Sequence, residues 1–396
     1  MKTITRYCND TFRLLLIVSS FLILFVPQAF SKELKIGLIT SGEQIKIGSS
    51  ENATLINLFN NQPICMINHR EIYTVQNIGG LISVLHKLTR NKSGAFTGPI
   101  KLVQEKKDGL VFCDKSWYRG ELIILANSDK KNITVINNID LEDYLLSVVP
   151  SEIPHSWAKS ALKAQSIAAR SYTLGYLGRR KDKGYDLEST VEDQVYLGVS
   201  AEKRSTSGAV KETRGLILVD KEGKPLIALY HSSGGGYTDS IENLWKTNGI
   251  KASVHIQPRP DYDDNSPHFK WFRSYKIEEV NKLLNSLNIG EIKNIIPLSH
   301  SIAGRVTWIK ILGTSSESTI RGEEFRKYLK LPSSKFNVAI EDSYVRFAGR
   351  GYGHGLGLSQ WGAKTLSENG FTYEEILAHY YLGAILTKIK NNVVKY

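Results

Sequence analysis

The stretch GRGYGHGLGLSQWGA, Gly349–Ala363, sets glycine at every second position from 349 to 357 around His354 and also carries Arg350, Ser359 and Gln360. Glycine loses much backbone entropy on folding, so a chain uses it at this density where φ must be positive or another group comes very close. A dinucleotide cradle needs GxGxxG, and every register here puts His354, Leu356, Leu358 or Gln360 at the third glycine. No Gly followed by Lys and Ser/Thr is present for a P-loop. If the segment is extended, the alternation strips one face and leaves Arg350, Tyr352, His354 and Leu356 on the other. Such a face suits contact with a flat ring such as a sugar, and equally suits a strand crossing close to another strand.

A second polar cluster, HSSGGGYTDS, runs from His231 to Ser240 at the end of an apolar strand-like stretch. His231, Ser232, Ser233, Gly234 and Gly235 read either as a hydrogen-bonding pocket wall or as a β-turn with a surface histidine. Nucleophilic serine chemistry lacks its GxSxG elbow, and zinc lacks an HExxH pair or a cysteine pair. The third candidate is Glu152 in VVPSEIP, between Pro150 and Pro154. A carboxyl on a rigid turn is placed accurately, and partial burial raises its pKa toward the range of a general acid. The competing reading is a carboxylate that only complements the N-terminal dipole of the helix after it.

These side chains need elements to hold them. From Leu34 to about Ile136, runs such as LKIGLIT, QIKIGS, ELIILA and NITVIN alternate or cluster β-formers between turn residues. DLEDYLLSVV then predicts a helix and PSEIPHSW a turn. A second helix is expected from Ala158 to about Leu177, with Ala161, Leu162, Gln165, Ala168, Ala169 and Tyr172 on one face. Strands are expected again over 205–230, a helix near Ile277–Leu287, a strand at VTWIKILG and a short helix at Gly322–Tyr328. Thr372 and Glu375 form a capping box for a last helix. The fold class expected is α+β: a β-rich region over 32–135, then a mixed strand and helix catalytic domain over 136–396 with a glycine-rich cleft.

Residues 1–31 have the plan of a secretory signal peptide: Lys2, Arg6 and Arg13, then an apolar run from Leu14 to Val26, then small residues at Ala29 and Ser31. The run is too short to span a bilayer, which takes roughly 20 residues, so no stable transmembrane anchor is expected. Removing this segment takes three basic residues and Asp10 from a net charge of +12, leaving about +10. An exported chain this basic favours anionic wall polymers or head groups, and no nucleic-acid motif accompanies the charge. Cys65 and Cys113 remain after cleavage, and spacing alone leaves open whether they pair.

Taken in order, DYLLSVVPSEIPHSWAKSALKAQSIAARSYTL, YHSSGGGYTDSIENLW, DYDDNSPHFKW and GRGYGHGLGLSQWGA resemble the family of the stage II sporulation protein D and the amidase enhancer LytB. The likeness runs from about Tyr118 to Leu386. It implies a lytic transglycosylase acting on peptidoglycan glycan strands stripped of stem peptides, with Glu152 as the catalytic acid and base. It also implies substrate-binding roles for Lys163, Gln165, Arg170 and Tyr172, for His231 to Gly235, and for Gly353, His354, Ser359 and Gln360. Lys163, Arg170 and Arg350 are then partners for the lactyl carboxylates of the glycan. The enhancer branch implies the alternative, a non-catalytic glycan-binding partner of a cell-wall amidase. Some family members bind zinc near the HS motif through histidines and cysteines. Residues 232–240 hold no cysteine, so no metal and no other cofactor is expected.

Overall fold

A computed structural model describes residues 32–86, 92–245 and 254–389. The expected signal peptide lies outside the described residues. Lys32 to Tyr396 group as one compact unit. Strands and helices mix within it, as the α+β reading requires.

The first third builds two sheets. One has seven strands, in the order Leu187–Glu188, Glu33–Gly42, Ile133–Asp140, Glu121–Ala126, Ile100–Gln104, Ala53–Asn57 and Pro63–Ile67. The other has six, ordered Ser116–Tyr118, Val111–Cys113, Gln44–Ser49, Ile72–Ile78, Leu81–His86 and Lys92–Phe96. Alternation drives the pairing: in Ala53–Asn57, Ala53, Leu55 and Asn57 are buried while Thr54 and Ile56 are half-exposed. Cys65 and Cys113 stand in different sheets and are not joined in a disulfide.

The boundary expected at 135/136 falls inside the strand Ile133–Asp140, which pairs along its length with Glu33–Gly42. The short strand Leu187–Glu188 then adds parallel to Glu33–Gly42 from far down the chain. The β-rich region and the helical region therefore share one sheet.

Asp140 ends that strand and caps helix α1, Leu141–Glu152, its carboxylate accepting from the Glu142 N–H at 2.9 Å. The helix continues through Pro150 to Glu152, beyond the Val149 end expected from the sequence. Proline here removes only one ladder bond in the last turn, and the Ser151 hydroxyl returns a bond to the Ser147 carbonyl at 2.8 Å. Ile153 is forced extended (φ −134°, ψ 140°) by Pro154 after it, which stops the helix.

Helix α2, Lys159–Gly175, buries Ala161, Leu162, Ala164, Gln165, Ile167 and Ala168. Helix α3, Arg204–Glu212, occupies a stretch read from sequence as strand. Its short apolar face, Thr206, Ala209 and Val210, has helical spacing but is masked by polar neighbours. Further on come α4 (Ile241–Leu244), α5 (Ile277–Leu283), α6 (Gly322–Leu329), α7 (Gln360–Glu368) and α8 (Tyr373–Tyr380). The capping box at Thr372 and Glu375 is present.

Two cores serve the polar motifs. In one, α2 packs through Ala164, Ile167 and Ala168 with Leu356, Leu358, Ala363 and Ile376, so the glycine loop and the last helices close over it. The other gathers Val280, Ile309, Phe325, Phe336 and Phe347 beneath the three-stranded sheet of Lys270–Lys276, Tyr344–Arg350 and Phe336–Glu341. No helix of the described residues is long and apolar enough to cross a membrane.

Candidate active site

Glu152 is the last residue of α1, not the first of a helix. The dipole there is negative, so it disfavours a carboxylate instead of stabilising one. The side chain is half-buried. Burial raises its pKa, opposed by the Val195 N–H, which donates to Oε1 at 2.9 Å. A partly sheltered acid with one donor holds its proton to higher pH than an ordinary glutamate and still has an oxygen to offer.

Tyrosines surround it. Burial holds the phenols of Tyr144, Tyr172 and Tyr230 protonated, and the Glu152 charge adds to that in each case. Gln194, fully buried, organises them: its Nε2 donates to the Tyr230 hydroxyl at 2.9 Å, and its Oε1 accepts from Thr173 at 2.7 Å and from Tyr144 at 3.4 Å. The next residue supplies the Val195 N–H to Glu152. Asp193, one residue before, is pinned by Arg179 and Arg180 and accepts from the Glu188 N–H. No motif singles out EDQVY, 192–196, in the sequence. Its signal was a lone glutamine amid charged and apolar residues, which has no spacing to mark it.

Tyr230 links Glu152 to the other motifs. Its carbonyl accepts from the His354 ring, and Tyr230–His231 pairs in parallel with Leu358–Ser359. His354 Nδ1 accepts from the Leu356 N–H at 3.0 Å, so the ring is neutral with its proton on Nε2. Burial, helped by Arg326 and Arg305, lowers its pKa to about 3. Trp245 and His231 pack against the same ring at 5.5 and 5.6 Å. His231 is held neutral by burial and donates Nδ1–H to the Leu356 carbonyl at 3.1 Å. Its Nε2 is buried without a partner, as is Nε2 of Gln165. Gln165 Oε1 accepts from Gln360 at 3.4 Å, joining α2 to α7. The Trp157 and Trp361 rings meet at 5.0 Å, and the Trp361 backbone N–H donates to the Ser232 carbonyl at 3.0 Å. Buried polar atoms of native proteins are nearly always paired, so two orphans on expected site residues mark where a ligand or water completes the set.

Other expected residues are occupied by the protein itself. Arg170 is fully buried: Nε and Nη2 donate to both oxygens of Glu142 at 2.9 and 2.8 Å, and Nη1 to the Leu216 carbonyl at 3.1 Å. The expectation that it binds a glycan carboxylate is thus corrected; it pins α1 to α2. Lys163 pairs with Glu212 at 2.7 Å beside Tyr373. Tyr172 is buried against Tyr176 and Tyr230. Ser359 caps α7, accepting from the Gly362 N–H. The Ser233 hydroxyl and the Gly235 and Gly236 N–H groups all donate to Asp263, and the Gly234 N–H to Asp261. This row of amides is an anion nest filled by the protein's own carboxylates.

The glycine loop is likewise packed inward. Gly351, Gly353, Gly355 and Gly357 all have positive φ, so the segment is not an extended strand with one bare face. A Cβ at 355 would lie 2.3 Å from the Arg305 guanidinium, and one at 357 would lie 2.0 Å from the Leu229 carbonyl oxygen. Arg305, fully buried, donates to the Gly353 and Gly234 carbonyls at 3.2 and 3.3 Å. The expected bare-backbone ligand wall is therefore corrected: the close approach that glycine permits is to Arg305 and neighbouring backbone. Arg350 stands apart, exposed at the end of its strand with its guanidinium over Phe269. Among the described residues no three His, Cys, Asp or Glu side chains gather as a metal site.

The chain is similar to known proteins. A family model for stage II sporulation protein covers residues 129–219, and a model of a domain of unknown function covers 218–357. An uncharacterized protein of Brachyspira hyodysenteriae is 32% identical over 288 residues, which is 71% of this chain and 75% of that protein. The chain belongs to the stage II sporulation protein D family. Stage II sporulation protein D of Bacillus subtilis is 29% identical over 281 residues, 66% of this chain and 78% of that protein. The amidase enhancer of the same organism is 29% identical over 296 residues, 61% of this chain and 40% of the enhancer. Membership in the sporulation protein D family implies a cell-wall-related role. The two matched segments divide the site: Glu152, Gln165 and Gln194 fall in the first, His231, Asp263, Arg305 and His354 in the second.

Proposed function

We propose that this protein is an exported peptidoglycan-remodelling enzyme, a lytic transglycosylase that cleaves peptide-stripped glycan strands with Glu152 as its one acid and base. The observation that carries the reading is Glu152 itself, half-buried at a helix C-terminus with a raised pKa and a single backbone donor. Hydrolytic glycosidases use two carboxyls. Here the nearby Asp193, two residues before the Val195 donor, is consumed by arginines.

One carboxyl suffices if the substrate supplies the nucleophile. The Glu152 acid gives its proton to the glycosidic oxygen as the bond to the muramic acid C1 breaks. The C6 hydroxyl of the same sugar then closes on C1 and returns its proton to Glu152, leaving a 1,6-anhydro end and the starting acid. His231 and Gln165, each with an unpartnered nitrogen, and the Tyr230 and Trp157 rings support a role in holding the sugars. Export by a signal peptide ending near Ser31 and a location in the envelope follow from the same reading.

The test is mass spectrometry of peptide-free glycan strands treated with the protein. Anhydro ends are expected, and Glu152→Gln is expected to lower their rate by at least ~100-fold, within the usual span of general acid catalysis. The wild-type rate should fall as pH rises through the raised Glu152 pKa, because the working form is the protonated one. Anhydro ends formed at the wild-type rate by Glu152→Gln would sink the assignment. The likeness to an amidase enhancer favours a second reading, in which the same site holds glycan for a separate cell-wall amidase. That reading expects no anhydro ends and faster stem-peptide release when amidase and protein are mixed.

A further inference from the structure

A basic groove shares no lining residue with the surroundings of Glu152. It holds about 460 Å³ and is lined by Lys270, Trp271, His300, Lys335 and Arg350 with small and apolar neighbours, and no carboxylate lines it. Lys270 and Arg350 are direct cross-strand partners in register. Lys335 stands next in the row, its carbonyl accepting from the Arg350 N–H at 2.9 Å. Three adjacent strands thus end in three cations, side by side over about 10 Å at ordinary strand spacing.

Like charges directly opposite on paired strands are destabilising. Among the described residues none of Lys270, His300, Lys335 and Arg350 forms an ion pair that would relieve the repulsion. The pKa of Lys335 is lowered to about 8, first by burial and then by Arg305 and Arg350. Its Nζ donates to the Gly235 carbonyl at 2.8 Å, which ties the groove to the same glycine segment that Asp263 and Arg305 hold. A row of cations without an ion-pair partner, in a groove that an indole also lines, fits a ligand with repeated negative charges and apolar ring faces.

We propose that this groove is a second binding site for the carboxylated glycan strand, holding its lactyl carboxylates on Lys270, Lys335 and Arg350 and a sugar face against Trp271. The choice of polymer rests on the function proposed above; the need for an anion rests on the groove alone. The site gives the segment covered by the model of a domain of unknown function a role in gripping long strands.

Binding of peptide-free glycan strands is measured on the full chain carrying Glu152→Gln, so that no substrate is consumed. Lys270→Glu is expected to weaken binding at least tenfold, less so at high salt, where exposed charges are screened. Lys270→Arg should bind as the parent does. Lys221→Glu, the same charge change at a side chain 87% exposed and outside the groove, should also bind as the parent does. Thermal melting of each variant controls for folding. If Lys270→Glu and Lys221→Glu bind alike, the site is overturned. If chitin oligomers, which lack the lactyl group, bind with the same dependence on Lys270, the carboxylate assignment is overturned. The same holds if poly(glycerol phosphate) binding depends on Lys270 and glycan binding does not. Loss of binding in Lys270→Glu without anhydro product from the wild type would uphold the groove and remove the transglycosylase. Product without that loss would do the reverse.

Discussion

At Glu152 a carboxyl is left with one backbone donor and an accessible side, while around the glycine loop almost every polar group is claimed by another part of the protein. Both regions bury charge, but they use it differently. On the α1 and α2 side the charges, Arg170 with Glu142 and Asp193 with Arg179 and Arg180, pair with each other and leave Glu152 out. Around the loop, Asp263 and Arg305 satisfy backbone amides and carbonyls directly, so the glycines serve the interior. The motif most conspicuous in sequence is thus packed inward as a scaffold, and Glu152 at the end of α1 is left as a half-buried carboxyl with a raised pKa.

The largest expected effect breaks the frame on the glutamate side. Arg170→Met leaves Glu142 buried with only the Gly215 N–H on Oε1, at 3.1 Å, and the capping region of its own helix. Removing one partner of a buried pair costs about 3–5 kcal/mol, read as loss of unfolding free energy in urea. Pairing it with Glu142→Leu should recover much of that loss, because both charges are then gone. By contrast Glu152→Gln removes no ion pair and should melt as the wild type does while losing activity. If Arg170→Met is as stable as the wild type but binds glycan poorly, Arg170 is a ligand group after all and the contrast fails.

Much of this frame was legible in sequence. The α2 helix, the last capping box and the strand-rich start follow from periodicity and caps, because those signals are local. The end of α1 was not, since a proline in a last turn costs the helix only one ladder bond and need not stop it. The role of Arg170 was hidden as well: a basic residue on a helix looks the same whether it faces solvent or a glutamate 28 positions earlier. Glu152, Gln165, His231 and His354 carried motif spacing and were named. Gln194 and Asp263 take their roles from contacts distant in sequence, which spacing does not encode.

A smaller effect sharpens the loop side. Gly355→Ala places a methyl 2.3 Å from the Arg305 guanidinium at φ +80°, whereas Gly370→Ala, at φ +88°, meets nothing within 4 Å. The second pays only the positive-φ strain, about 1–2 kcal/mol. The first adds overpacking of about 1–3 kcal/mol. The difference between the two melting free energies therefore isolates the close approach. Equal losses would mean that Arg305 yields easily and that the glycine at 355 is chosen for its dihedral alone.

The smallest effect concerns Asp261, the loop's counterpart of Glu152. Burial, then repulsion from Asp263, lifts its pKa from 3.8 to about 7, against bonds from Ser359, Tyr380 and the Gly234 N–H. The folded protein therefore keeps a proton that the unfolded chain releases near pH 4. Stability falls as pH rises between those two values and levels off above about 7. Asp261→Asn cannot titrate, so its melting temperature should change less between pH 5 and pH 8 than that of the wild type, by about 2–4 °C for roughly 1 kcal/mol. An identical pH slope in the variant would show that the carboxyl stays charged in the fold. A flattened slope with glycan cleavage still falling at high pH would separate the two buried acids. Asp261 then locks the loop to α7 and α8, and Glu152 alone gives its proton to a substrate.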